Sequence, residues 1–232
     1  MSPASGFVFE SLLGRLGTDR EAVAPDTPGF GASDPLPAYP EIADYARVLL
    51  DVVDDLGLDA PVDLLGYHTG SSIACEMALQ QPAMVGRIVM ISAPVFTAAD
   101  LAALQPYYRQ EPLFTADGDR LRAKWVWFQE FLGVGSRNTL DYAARIFIER
   151  LSGKERHWWG HRAAFRYDLA NTLQALERPP TILNVADDLT HITRRAAAAL
   201  PPQCLVELPE FTHGFLDSHT DQVAALLRRL LP

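Results

Sequence analysis

A glycine-flanked turn at Gly66–Gly70 constrains the fold of this chain more than any other feature. It reads Gly-Tyr-His-Thr-Gly, follows the short apolar run Pro61–Leu65 and precedes Ser71–Gln81, whose apolar residues recur at helical spacing. A strand, a sharp turn and a helix in this order lift the central side chain above the end of a sheet, and such a turn commonly presents a catalytic serine. The glycines allow the tight backbone packing that this geometry needs. The central residue here is His68, so the turn predicts a reactive site without the usual serine.

Strand-like and helix-like segments alternate on both sides of this turn. Apolar residues at spacings of three and four predict helices, and short apolar runs bounded by turn residues predict buried strands. This alternation predicts an α/β fold with a mostly parallel sheet covered by helices on both faces. The predicted helices include Phe9–Leu16, Ile42–Leu56 and Thr220–Leu231, and the further strands are Glu21–Ala24, Gly86–Ser92, Thr181–Val185 and Cys204–Leu208.

The alternation stops between Pro94 and about Leu176. This segment reads as helical and holds all four tryptophans of the chain, together with many other aromatic residues, among them Tyr107 and Tyr108. Most of these rings are expected to form a small core of their own, and a few to line the roof of a small-molecule pocket. We therefore divide the chain into a first part of the core at 1–94, a helical cap at 95–176 and a second part of the core at 177–232.

The composition limits the classes of molecule that the protein is expected to bind. The net charge of −9 argues against binding nucleic acid or an anionic membrane surface. The two cysteines, Cys75 and Cys204, fall in a predicted helix and a predicted strand, where buried reduced thiols are typical. Neither a signal peptide nor a membrane-spanning run is evident in the sequence. We expect a cytoplasmic protein with a small-molecule substrate, no cofactor, and the possibility of a homo-oligomer.

Five short motifs occur in an order that is more specific than any one of them alone. They are Asp26-x-Pro28-Gly29-x-Gly31-x-Ser33, the turn at His68, Gln81–Val85 leading into a strand, Ala186-Asp187-Asp188, and Phe211-Thr212-His213. With these motifs the chain resembles the α/β-hydrolase superfamily, in the branch that carries a helical cap after the sixth strand. The resemblance covers nearly the whole chain and implies a site whose members follow the order nucleophile, acid, histidine.

The resemblance implies a role for each matching residue. His213 falls on the general base, and Asp188 falls on the acid that fixes the imidazole tautomer and stabilises its protonated form. Asp187 is the neighbouring alternative for the acid. We expect Asp188 within hydrogen-bond reach of His213, with His68 on the opposite side of the His213 ring.

His68 at the serine position leaves several interpretations open. Its ring could attack as a nitrogen nucleophile, or donate a hydrogen bond to a substrate oxyanion while His213 and Asp188 activate water. It could also mark an inactive site in which the fold persists. A metal held by His68 and His213 is disfavoured, because Asp188 would lie behind His213 and not face the cavity, so no metal site is predicted.

The chain also begins late relative to the superfamily pattern. The first three strands of that pattern should precede the opening helix, and the third should lie in the middle of the sheet. We expect about five strands instead of eight, a gap beside Val62–Leu65, and an exposed apolar edge there that favours association. The oxyanion donor that remains is the backbone N–H of Thr69, at a helix N-terminus.

Three functions fit this sequence. The first is a hydrolase of a small ester or related carbonyl compound that uses His213 and Asp188 under the aromatic cap. The second is a lyase or isomerase with the same base and His68 as the electrophile, and the third is a catalytically silent ligand-binding protein.

Overall fold

A computed structural model describes residues 5–58, 61–104, 106 and 111–232. Tyr107 and Tyr108, as well as residues 1–4, lie outside these ranges. Within them a parallel sheet of four strands lies in the order β1–β2–β3–β4, with the strands at Val62–Tyr67, Val85–Ile91, Thr181–Val185 and Leu205–Leu208. Each strand thus pairs with its neighbour in sequence, and all four carboxyl ends lie at one edge of the sheet.

Helices connect the strands and cover the sheet, as the alternation of the sequence predicts. A 3-10 turn at Gly6–Phe9 leads into the first of them. The α-helices are α1 Glu10–Leu16, α2 Ile42–Asp55, α3 Thr69–Gln80, α4 Ala98–Leu104, α5 Asp119–Leu132, α6 Leu140–Leu151, α7 Trp159–Arg166, α8 Leu169–Ala175, α9 Thr190–Ala197, α10 Phe215–Ser218 and α11 Thr220–Leu230. Within the described ranges, none of these helices is long and apolar enough to cross a membrane.

Two apolar cores pack on opposite faces of the sheet. Alternate strand residues point to opposite faces, so Met90 enters one core while Val89 and Ile91 enter the other. The first core is shared with α2, α3 and α8, and the second with α1, α10 and α11. The fold is therefore a three-layer α/β arrangement, which confirms the predicted fold class.

Five helices, α4 to α8, stand between β2 and β3, where the sequence predicts a helical insertion. Helices α5 and α6 share a separate apolar cluster built on Phe128, Ile146 and Phe147. The aromatic residues of this segment thus form much of its own core, as expected, although the exact division of the chain into core and cap stays a prediction.

Two sequence expectations about the sheet are wrong. Glu21–Ala24 is not a strand, and the described residues form four strands where about five were expected. The reason is that a strand needs a partner, and the segment is separated from β1 by a cavity of about 570 Å³. Consecutive residues Val62–Leu65 line this cavity together with 21–25, so it lies along the edge of β1 that faces away from β2. The expected gap beside β1 is confirmed.

Both cysteines are buried and free, as expected. Cys75 lies in α3, and Cys204 ends a 3-10 turn at Pro202–Cys204 instead of opening the last strand.

Candidate active site

His68 lies at a strained turn between β1 and α3. Its φ of 51° and ψ of −113° fall in a region that residues with a side chain rarely adopt. The backbone is held on both sides, since the His68 N–H donates to the Ile91 carbonyl at 3.0 Å and the Ser71 N–H donates to the His68 carbonyl at 2.9 Å. A Cβ on Gly66 would overlap the backbone of Gly70, which explains the glycine there. The predicted strained turn is confirmed.

Asp187 holds the His68 ring. The Nε2 atom of His68 lies 2.7 Å from Oδ2 of Asp187, and the Ser92 hydroxyl donates to the same oxygen at 2.7 Å. The other oxygen of Asp187 accepts the Leu189 N–H at 2.8 Å. The side chain of Asp187 is fully buried and that of His68 is 13% exposed. This carboxylate, which the sequence treats as the alternative partner of His213, therefore orients His68 instead.

Asp188 faces the other histidine. Its Oδ1 lies 3.2 Å from Nε2 of His213, within the reach that the sequence predicts. The His213 side chain is 6% exposed and that of Asp188 is 32% exposed. The Nδ1 atom of His213 is buried and has no hydrogen-bond partner among the described residues.

The two histidines lie near each other without a hydrogen bond between them. Their ring centroids are 6.3 Å apart and the ring planes are nearly perpendicular, at 77°. Nε2 of His68 is bonded to Asp187 instead. The expected position of His68, on the side of the His213 ring opposite Asp188, stays a prediction. The site consists of two adjacent histidine–aspartate pairs.

The topology of the sheet explains why these groups meet. His68 follows β1, Ser92 follows β2, the two aspartates follow β3, and His213 lies in the loop after β4. In parallel sheets functional groups collect at the carboxyl ends of the strands. A hydrogen bond of 2.7 Å from the Ala186 N–H to the Phe211 carbonyl joins the last two of these loops.

The charges of the site favour ionised carboxylates. Burial opposes the ionisation of Asp187, but the charge of His68 and hydrogen bonds from His68 and Ser92 hold its pKa below the ordinary value. Burial likewise opposes ionisation of Asp188, whose pKa is nevertheless lowered by the hydrogen bond from His213 and by the charges of both histidines. Two neighbouring carboxylates therefore stay negative at neutral pH, each beside an imidazole.

The helical segment contributes residues that sequence reasoning missed. Phe131 of α5 packs on His213 with ring centroids 4.4 Å apart, and the Asn138 side chain donates to the His213 carbonyl at 2.9 Å. His161 of α7 is half-buried, and desolvation of its ring, followed by the charges of Arg150, Lys124 and His68, lowers its pKa well below the ordinary value. Of the site residues that were not predicted, Ser92 alone could have been found from the sequence. It ends a predicted strand, and the site lies where the predicted strands end.

Two further groups complete the geometry. Thr69 is the first residue of α3 and is buried, so its N–H lies at the helix N-terminus, where the first amides lack intrahelical partners. Ligand-capable atoms of His68, Asp187 and Asp188 all lie within 4.8 Å of one another. None of these residues lines the large cavity beside β1.

Fold and site together define a class of protein: a parallel α/β sheet with a strained turn after its first strand and histidine–aspartate pairs at the strand ends. A family model described as the alpha/beta hydrolase fold matches residues 3–197 of this chain. The chain therefore belongs to the α/β-hydrolase fold family, and the family predicted from the sequence motifs is confirmed.

Relatives and solved structures agree with this assignment. Haloalkane dehalogenase 2 of Mycobacterium tuberculosis is 24% identical over 265 aligned residues, covering 97% of this chain and 84% of that protein. A thermophilic esterase from Thermogutta terrifontis superimposes with a TM-score of 0.79 at 20% identity, covering 99% of this chain and 86% of the esterase. A bromoperoxidase from Bacillus anthracis gives a TM-score of 0.77 at 18% identity, with coverages of 99% and 88%. The three names differ in reaction, so the fold by itself does not specify the chemistry of this chain.

Proposed function

We propose that this protein hydrolyses a small ester or a related carbonyl compound without forming an acyl-serine. The observation that carries the proposal is the contact of 3.2 Å between His213 and Asp188, next to a histidine held on the strained turn. A base oriented by a carboxylate can activate water directly when the position of the nucleophile offers no hydroxyl.

In this mechanism His213 is the general base. Asp188 holds Nε2, which leaves Nδ1 to take a proton from water as the hydroxide attacks the substrate carbonyl. The tetrahedral intermediate then expels an alkoxide, which recovers that proton from His213 and leaves as the alcohol. One ester and one water give one acid and one alcohol, and the imidazole returns to its starting form.

His68 and Thr69 stabilise the oxyanion in this proposal. The Thr69 N–H lies at the N-terminus of α3, where the helix dipole also favours negative charge. Because Nε2 of His68 is bonded to Asp187, its other nitrogen donates to the oxyanion when the ring is protonated. Asp187 stabilises that protonated ring, and Ser92 keeps Asp187 in place.

The helical segment at 95–176 acts as the cap of this site in the same proposal. The ring contact between Phe131 and His213 and the hydrogen bond from Asn138 support it, because both join the segment to the loop of the base. Cytoplasmic localisation and a homo-oligomer stay predictions.

One observation favours a second candidate function. Asp187 contacts His68 as Asp188 contacts His213, so the site holds two imidazoles, each beside its own carboxylate. A lyase or isomerase needs such a base and a separate acid on either side of a carbonyl substrate.

A panel of small chromogenic esters tests the proposal. We expect wild-type protein to hydrolyse at least one ester, and His213→Ala to lower kcat by about 10²- to 10⁴-fold, the usual contribution of a general base. His219→Ala, which changes the other histidine near the C-terminus, serves as the matched control and should retain activity. An unaltered rate in His213→Ala would refute the mechanism. If wild type is inert and His68→Ser gains hydrolysis, the isomerase-type or silent interpretation replaces the hydrolase.

A further inference from the structure

The three-residue cluster of His68, Asp187 and Asp188 has the composition and spacing of a metal site. We infer that His68, Asp187 and Asp188 bind one divalent first-row transition cation such as Zn²⁺ or Mn²⁺. This site does not depend on the proposed hydrolysis, since an ion can bind whether or not an ester is cleaved.

The donor set selects the kind of cation. One imidazole nitrogen and two carboxylates suit Zn²⁺, Mn²⁺ or Fe²⁺, whereas Mg²⁺ and Ca²⁺ prefer oxygen ligands alone and Cu⁺ prefers sulfur. Three protein ligands leave at least one coordination position for water or substrate, as in open zinc sites.

The spacing of the donor atoms is compatible with one shared ion. Ligand atoms about 2.0–2.2 Å from a common ion lie up to about 4.4 Å from one another. The potential ligand atoms of the three residues all lie within 4.8 Å, so small side-chain movements suffice. Between His68 and Asp187 the ion would take the place of the hydrogen that now joins Nε2 and Oδ2 at 2.7 Å.

Groups around the cluster form hydrogen bonds with its two carboxylates. Ser92 and the Leu189 N–H bond the two oxygens of Asp187, and His213 contacts Oδ1 of Asp188. Partners of this kind orient ligating carboxylates and strengthen metal binding. Asp188 has two oxygens, so its contact with His213 leaves the other one for a cation.

Charge and access favour an ion from solvent. Among the described residues, neither aspartate forms an ion pair with lysine or arginine, so a divalent cation would neutralise two adjacent carboxylates. The side chain of Asp188 is 32% exposed, whereas that of Asp187 is fully buried, so an ion can enter on the side of Asp188. Asp188 contacts His213, as the sequence predicts, and that expected position behind His213 disfavoured a metal. In the structure Asp187 supplies a carboxylate that contacts His68 directly, which removes that objection.

Calorimetric titration of the metal-free full chain with Zn²⁺ and Mn²⁺, and with Mg²⁺ and Ca²⁺ for comparison, tests this inference. We expect one Zn²⁺ or Mn²⁺ per chain, a higher unfolding midpoint with the ion, and at least about tenfold weaker binding in His68→Gln, Asp187→Asn and Asp188→Asn. The exposed His191→Gln and Asp221→Asn are the matched controls and should bind like wild type.

The folded state of each variant is checked by circular dichroism, and the Co²⁺ absorption spectrum of wild type gives a second readout. Stoichiometric binding that survives in all three ligand variants would overturn the site, as would the absence of binding by wild type. Ester hydrolysis that persists after a chelator removes the metal would show that the proposed hydrolysis needs no metal. Metal binding and ester hydrolysis are therefore tested independently of each other.

Discussion

At the scale of single residues, the backbone of His68 has a conformation that residues with a side chain rarely adopt. A residue with a side chain at φ 51° and ψ −113° costs on the order of 1–3 kcal/mol and persists only when its surroundings hold it. The surroundings here are two backbone hydrogen bonds and the contact of the ring with Asp187. Strain of this kind concentrates at functional sites, which agrees with a working role for the ring.

At most positions alanine gives a more stable protein than glycine. The strain at position 68 predicts the opposite order there. Both His68→Ala and His68→Gly remove the hydrogen bond to Asp187, but glycine adopts a positive φ without steric cost. We expect His68→Gly to be more stable than His68→Ala by about 1 kcal/mol in urea unfolding.

Gly14 provides the comparison at an ordinary position. It lies exposed in α1, with nothing within 4 Å of an added Cβ, so Gly14→Ala should stabilise the protein by roughly 0.5–1 kcal/mol. If alanine also proves the better residue at position 68, the turn is relaxed in solution and carries no stored strain.

At the scale of elements, the loop after β4 is positioned by the helical segment. Asn138, which lies between α5 and α6, donates to the carbonyls of both Leu132 and His213 and so ties the His213 loop to the end of α5. Gly214 has a φ of +90°, and a Cβ there would overlap the Asn138 side chain. The position of the base thus depends on a contact between two segments far apart in sequence.

This contact predicts a large effect of one methyl group. Gly214→Ala should destabilise the protein by about 2–4 kcal/mol, because backbone strain and the clash with Asn138 add. Gly118→Ala is the control, since Gly118 has a φ of +72° but open space around it, and should cost only about 1 kcal/mol. Denaturant midpoints measure both. Equal losses of stability in the two variants would show that the Asn138 side chain moves aside at little cost and does not position the His213 loop.

Helices and strands could be predicted from the sequence wherever the local spacing of apolar residues determines them. Apolar spacing located α1, α2, α3 and α11, and short apolar runs located the four strands to within a few residues. Glu21–Ala24 failed because a strand also requires a partner, which local pattern does not reveal. The Asp188–His213 pair was predicted correctly, but the contact of Asp187 with His68 was not. Asp187 and Asp188 are adjacent in sequence, and only the tertiary packing decides which histidine each side chain meets.

At the scale of the whole molecule, the sheet is open at β1. That strand bonds β2 on one side and borders the cavity of about 570 Å³ on the other, between the helices of the two faces. Strands exposed in this way are normally paired, covered or protected by charges. The walls of the cavity are largely apolar, and Val23 and Leu56 on its border are 47% and 51% exposed. Apolar surface that stays accessible to solvent in a folded protein binds apolar probes.

We therefore expect the native protein to enhance the fluorescence of the dye ANS, and Val23→Lys to reduce that enhancement by about half or more, because the substitution places a charge in the cavity. Ile148→Lys is the matched control: Ile148 is 64% exposed on α6 and does not line the cavity. Both substitutions are at exposed positions and should change the free energy of unfolding by no more than about 0.5 kcal/mol, so a difference in dye binding reports the cavity and not unfolding. Two results would mean that the cavity beside β1 is closed in solution. One is native protein that does not enhance ANS fluorescence, and the other is an equal loss of fluorescence in Ile148→Lys.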